Sequence, residues 1–148
     1  MNADYISLIQ SEWSLVTQNI DTDIEHDQLK CVFLGSGAIP VSAMMFASRI
    51  KSRIDCVDSD EQANNIARQL ISVKNLDDRI NVHNNRAEDY DYRGVDLAII
   101  ASLIRSKEDV LSKLSSDQVG TVLIRTVDKA FSSIYEPVDD CLLYTSPS

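Results

Sequence analysis

Residues 31–40 read Cys31-Val32-Phe33-Leu34-Gly35-Ser36-Gly37-Ala38-Ile39-Pro40. An apolar run stops at Gly-Ser-Gly, and a proline follows shortly after. The run, opened by Lys30, predicts a short buried strand. Gly35 and Gly37 let the chain turn sharply and let a ligand approach bare backbone. Pro40 suits the start of a helix, because its fixed φ matches the first turn and its missing N–H is not needed there. Strand, glycine loop and helix together form a ligand-binding turn, and its neighbours decide which ligand it takes.

Upstream, Tyr5, Ile9, Trp13, Val16 and Ile20 recur at spacings of three and four, predicting an amphipathic helix. The polar, acidic stretch IDTDIEHDQLK is a connector. Downstream, a helix is expected from Val41 to about Ser52, packed through Val41, Met44, Met45 and Ala47. A second strand spans Ser52 to Asp58. Asp60 then stands where it caps a helix over 61–73, with Ala63, Ile66, Ala67, Leu70 and Ile71 on one face. Strands are expected at Arg79–His83, Val95–Ile100 and Thr121–Arg125, with a helix at Lys107–Leu114.

This alternation predicts an α/β, Rossmann-like fold: a parallel sheet with helices on both faces, joined by right-handed crossovers. Ligands of such sheets lie beyond the carboxyl ends of the strands, where the strand order reverses. Gly35–Gly37, Asp58, residues 85–88 and residues 101–103 all fall at such ends.

The totals narrow the ligand. A chain of 148 residues is one domain with a real core. Its net charge is −9, and the 14 basic residues are scattered. Nucleic-acid binding needs clustered Lys and Arg to neutralise phosphates, so a small-molecule partner is expected and a nucleic acid is not. No window approaches the roughly eighteen consecutive apolar residues of a membrane span. The N-terminus has no secretory pattern, so the cytoplasm is the expected location. Three cysteines and two histidines stand apart from one another, without metal-ligand spacing.

Asp58 lies twenty-three positions after Gly35. An acid about twenty residues past a glycine loop is placed to meet the hydroxyls of an adenosine ribose. A third glycine for a dinucleotide is missing, as is the Gly-Lys-Ser/Thr ending of a phosphate loop. S-adenosylmethionine, an adenosine ligand without phosphates, is therefore expected ahead of NAD. Gly35, Ser36, Gly37, Pro40, Asp58 and Ser59 are its candidate contacts. Arg86 and Ala87 stand where such folds meet adenine, and Ala101 and Ser102 border the sulfonium by position. No Asn/Asp-Pro-Pro-Tyr/Phe stretch follows the fourth strand, which argues against methylation of a base nitrogen.

GSGAIPVSAMMFA, then CVDSDEQAN, then DLAIIASLI resemble the nicotianamine synthase family, including its bacterial opine-metallophore relatives. Gly35, Ser36, Gly37, Pro40 and Ser42 match the family's glycine-loop pattern. ADYISLIQSEWSLV resembles its NYxxLxxxE helix through Tyr5, Leu8 and Glu12. Arg125, Ile134-Tyr135 and Val138-Asp139 resemble its R…LYPxVD segment, whereas TVDKAFSS stands where the family often has His-Gly-x-Arg.

The resemblance implies a methyltransferase-like fold that transfers the aminocarboxypropyl group of S-adenosylmethionine to an amine or amino acid. Methylthioadenosine is released and a metal chelator is built. It makes Tyr5 the candidate catalytic residue, orienting the amine or joining a proton relay, while Glu12 is expected to be a solvated helix residue. A small-molecule methyltransferase is the alternative, and a nucleotide-binding regulatory domain is a third reading. The expected organisation is a remnant of an N-terminal helical domain over 1–29 and an incomplete S-adenosylmethionine-binding domain over 30–140. The last eight residues, CLLYTSPS, resemble read-through of a sequencing adapter and are expected to be a non-native tail.

Overall fold

The computed structural model describes residues 3–20, 25, 28–37, 40–101, 107–125 and 141–145. Along the chain the elements are α1 (Ala3–Asn19), β1 (Cys31–Leu34), α2 (Val41–Ala47), β2 (Ile54–Asp58), α3 (Glu61–Val73), β3 (Ile80–Asn84), β4 (Leu97–Ile100), α4 (Lys107–Ser116), β5 (Thr121–Arg125) and β6 (Cys141–Thr145). A single 3₁₀ turn at Ala87–Asp89 lies between β3 and β4.

Among the described residues the strands form one sheet in the order β3-β2-β1-β4-β5-β6. The first five are parallel, as the alternation of strands and helices requires. β1 and β4 lie side by side at the centre, with Cys31 opposite Leu97 and Leu34 opposite Ile100. All eight of their residues are buried, so neither strand has a polar side. The chain winds from β1 out to β3 and returns to the other side of β1 at β4. That reversal places a crevice beyond Leu34 and Ile100.

Cys141–Thr145, expected to stand outside the fold, pairs antiparallel with β5, from Arg125 opposite Cys141 to Thr121 opposite Thr145. The exposed ladder of β5 accepts an additional strand of either direction, and Leu-Leu-Tyr-Thr is β-prone.

Alternate residues of β1 feed two cores. Cys31 and Phe33 pack with Ile9, Val16, Phe46 and Ile71, from α1, α2 and α3. Val32 and Leu34 pack on the opposite face with Tyr92, Val110 and Leu114. Phe46 is fully buried, and Trp13 and Phe33 meet it edge-on with ring centroids 5.6 and 5.4 Å away. An isolated helix of α1's length is marginal in water, so this packing, at roughly 1.5–3 kcal/mol per buried large side chain, holds α1 on the sheet.

Two expectations shift. α2 ends at Ala47, short of Ser52. The Ala47 carbonyl, which a longer helix would offer to the Lys51 N–H, accepts instead from Arg79 Nη2 at 3.0 Å. Its buried residues are Ser42, Ala43, Phe46 and Ala47, with Met44 and Met45 only partly covered. In α3 the inward positions are Asn64, Ala67 and Ile71, and Ile66 is 53% exposed. A polar residue there displaces an apolar one because it bonds to two strand ends.

Candidate functional site

Gly35 and Gly37 both adopt positive φ, +75° and +70°, a region that strains any residue with a Cβ. Gly35 N donates to Val57 O at 2.8 Å, which carries the parallel ladder one step past β1. The loop then turns back onto β2, where Gly37 N donates to Asp58 Oδ2 at 2.9 Å. The other oxygen, Oδ1, accepts from Asp60 N at 2.9 Å. Asp58 thus joins the glycine loop to the start of α3, and each of its oxygens keeps a second lone pair for a ligand hydroxyl. Asp60 caps α3 as its position predicts, accepting from Ala63 N at 3.1 Å. Ser59, between the two acids, is exposed.

The ends of β2 and β3 are tied together from below. Fully buried Asn64 donates through Nδ2 to Asp58 O at 2.8 Å and to Asn84 Oδ1. Asn85 N adds a bond to Asp58 O at 3.2 Å. After β3 the buried residue is Ala87, whose carbonyl accepts from the Tyr92 hydroxyl. Arg86 leaves 68% of its side chain exposed and bonds Glu88 through Nε at 3.0 Å, so the inner wall here is Ala87 and backbone.

Between β1 and β4 lies an open cleft bordered by Leu34, Gly35, Ser36, Pro40, Ser42 and Ala101. Ala101 N donates to Leu34 O at 3.0 Å, which keeps the two strand exits side by side. Arg125, from the end of β5, also borders the cleft and is its only charged lining residue among those described. Its Nε and Nη2 donate to Glu12 Oε2 and Oε1 at 2.7 and 2.6 Å. Nη2 also donates to Ser42 Oγ at 2.7 Å.

This overturns the expectation for Glu12. Its side chain is fully buried and ion-paired, not solvated. Burying a carboxylate requires a partner, and Arg125 supplies one from the far end of the chain. Glu12, Ser42, Arg125 and Asn64 were absent from the candidate site residues, although the first three stand in stretches that resemble one family. Asn64 had no comparable signal.

Tyr5 lies in the first turn of α1, seven residues and two helical turns before Glu12. Ser102, residues 38–39 and residues 134–139 lie outside the described residues. Cys31 and Cys56 are buried free thiols. Burial pushes Cys56 up to about 12, against an opposing pull from the Ser36 hydroxyl, and pushes Cys31 well above the ordinary range. Both stay protonated at neutral pH and supply no nucleophile. Among the described residues no His/Cys/Asp/Glu group is arranged to hold a metal, and no helix is long and apolar enough to cross a membrane.

Away from the cleft, His83 Nε2 and Asp55 Oδ1 lie 2.9 Å apart on neighbouring strands, with the Tyr90 ring 5.3 Å from the imidazole. That group covers the sheet where the short connection from β3 to β4 brings a 3₁₀ turn instead of a full helix.

A family model described as nicotianamine synthase protein matches residues 2–143. The chain is 34% identical over 85 residues to the L-histidine 2-aminobutanoyltransferase of Yersinia pestis, covering 57% of this chain and 32% of that protein. It therefore spans about a third of that relative's length. A variant of MtNAS solved in complex with S-adenosylmethionine superposes with a TM-score of 0.73 at 17% identity, covering 97% of this chain and 62% of the other. Geranyl diphosphate C-methyltransferase from Streptomyces coelicolor A3(2), solved with Mg2+, geranyl diphosphate and S-adenosyl-L-homocysteine, superposes at 0.65 with 15% identity, covering 79% and 44%. At these identities the two superpositions carry the fold.

Proposed function

The chain belongs to the nicotianamine synthase family, and on that premise we propose that it is the S-adenosylmethionine-binding part of an aminocarboxypropyltransferase. The single observation that carries the reading is the family match over residues 2–143, nearly the whole chain. The residues present fit the ligand. Asp58 offers lone pairs at the end of β2, and two glycines leave the loop backbone bare.

Gly35, Ser36, Gly37 and Pro40 border the cleft or its loop, Asp58 receives the ribose hydroxyls, and Ala87 backs the adenine. Ala101, with Ser102 after it, borders the sulfonium. When bound, S-adenosylmethionine supplies an activated carbon: the amine forms a C–N bond as the C–S bond breaks, and the sulfur keeps the electron pair as methylthioadenosine. The attacking amine has to be neutral and lose a proton, and Tyr5 on α1 is the residue proposed to orient it or relay that proton. Which of the three carbons on sulfur reacts depends on which is held in line with the amine, so positioning decides the product.

The acceptor proposed is the amine of an amino acid, with L-histidine the first to test. The product would be a metal chelator, whose ligands belong to the product and not to the protein. The test is to incubate the chain with S-adenosylmethionine and L-histidine or other amino acids and identify the released nucleoside by mass spectrometry. Methylthioadenosine is expected. S-adenosylhomocysteine would overturn the reading in favour of a small-molecule methyltransferase on the same fold.

A further inference from the structure

We propose that the outer face of α3 is a self-association surface, on which a second copy of this chain packs its own α3 antiparallel about a two-fold axis. The inference rests on the surface of the fold and stands apart from the function proposed above.

α3 carries two stripes of residues spaced three and four apart. Asn64, Ala67 and Ile71 form the inward one. Ala63, Ile66, Leu70 and Val73 form the second, which is wholly apolar and has the spacing by which two helices interlock their side chains. Asn64 fixes the rotation of the helix that decides between them. Its bonds to Asp58 O at 2.8 Å and to Asn84 Oδ1 hold it fully buried. With that rotation set, the second stripe turns toward solvent. Ala63 and Leu70 are partly buried, Ile66 is 53% exposed and Val73 is 75% exposed. Ile66 and Val73 are the large apolar side chains left exposed among the described residues, and they stand two turns apart on one helix face.

The charges around the stripe identify its occupant. A net charge of −9 opposes contact between copies in general. Beside the stripe, however, Gln62, Asn65, Gln69 and Ser72 are exposed and uncharged. Charge stands at its two ends, with Asp60 and Glu61 opening the helix and Lys74 closing it. Neither Glu61 nor Lys74 has an ion-pair partner among the described residues. Parallel pairing would set Glu61 against Glu61. Antiparallel pairing brings each Glu61 to Lys74 of the second copy, sets Ile66 across Leu70 and small Ala63 across Val73, and opposes the helix dipoles.

The other flank of α3 is closed to this kind of pairing. There Arg68 Nη2 donates to Val82 O at 3.0 Å and covers the edge of β3, and Asp77 lines the same groove, away from the stripe. With 13 residues α3 is about 20 Å long, so the contact is smaller than the roughly 800 Å² a side of a standard interface. The dimer is therefore weak and reversible.

Sedimentation of the chain in reducing buffer, from about 1 to 300 μM, is expected to show a monomer–dimer equilibrium with a Kd on the order of 10–100 μM. Ile66→Glu should raise that Kd at least about tenfold. Because Ile66 is exposed, its circular dichroism and urea midpoint should match those of the unmodified chain. Glu61→Lys should loosen the dimer by about threefold to tenfold, and Glu61→Lys/Lys74→Glu should restore it. A chain that stays monomeric throughout would overturn the proposal. A dimer indifferent to Ile66→Glu would overturn it too, by placing the contact elsewhere. Failure of the double reversal to recover what the single one lost would overturn the antiparallel arrangement.

Discussion

Arg125 and Glu12, 113 residues apart, form a two-pronged ion pair at 2.7 and 2.6 Å, with the carboxylate fully buried. The pair fastens α1 to the end of β5, and Ser42 ties α2 into the same junction. Three elements that share no local sequence signal are thereby held around one side of the cleft.

Breaking that pair from one side should be costly. Arg125→Ala strands a buried carboxylate and is expected to lower stability by about 3–5 kcal/mol. Replacing both partners, as in Glu12→Leu/Arg125→Met, removes the charge along with its partner and should cost much less. Urea unfolding of the two variants measures the difference. Equal losses would show that the burial of Glu12 does not depend on Arg125.

Asn64 should matter to both stability and ligand affinity. Its Nδ2 bonds the Asp58 carbonyl and the Asn84 side chain, so it fixes the ends of β2 and β3. Asn64→Ala is expected to cost about 2 kcal/mol, as two buried hydrogen bonds are lost, with an unchanged denaturant slope. Adenosine affinity should fall in parallel, because Asp58 loses the support beneath it. A destabilised variant with full affinity would separate Asn64 from the site.

Alkaline pH should unfold the protein progressively. Burial raises Cys56 and Tyr90 each to about 12, and raises Cys31 and Tyr92 in the same direction. A raised acid in the folded state holds its proton while the unfolded chain releases it. Stability from these groups is therefore complete below the ordinary thiol pKa, about 8.5, and declines as pH rises from there toward 12. Urea midpoints at pH 8 and above 10 should show the decline, and Cys56→Ala should make it shallower. A midpoint that does not move across that range would contradict the burial of these groups. At neutral pH the same burial should protect Cys31 and Cys56 from iodoacetamide until the protein unfolds.

Much of the site is readable along the chain because its signals are local. Gly35 and Gly37 announce positive φ, Pro40 announces a helix start, and Asp60 announces a cap, and all four act within a few residues of themselves. The meeting of Asp58 with the glycine loop follows from spacing, since a βαβ unit sets the distance between them. Arg86 is less readable: the end of β3 is correctly located, yet the inward residue is Ala87 and the guanidinium pairs with Glu88.

The sequence by itself determined that strands alternate with helices, that the run before the glycine loop is a buried strand, and that the glycine loop and Asp58 lie at the carboxyl ends of their strands. Each follows from periodicity, turn chemistry or an apolar run, which are properties of short segments. The tertiary structure alone decided the position of Glu12. Helical spacing aligns it with Ile9 and Val16 on the buried face, while its charge argues for water. Arg125, brought alongside by five parallel strands, offsets the cost of burying that charge. The inward turn of Asn64 was settled in the same way, because its partners at Asp58 and Asn84 lie on different strands that become neighbours only when the sheet has formed.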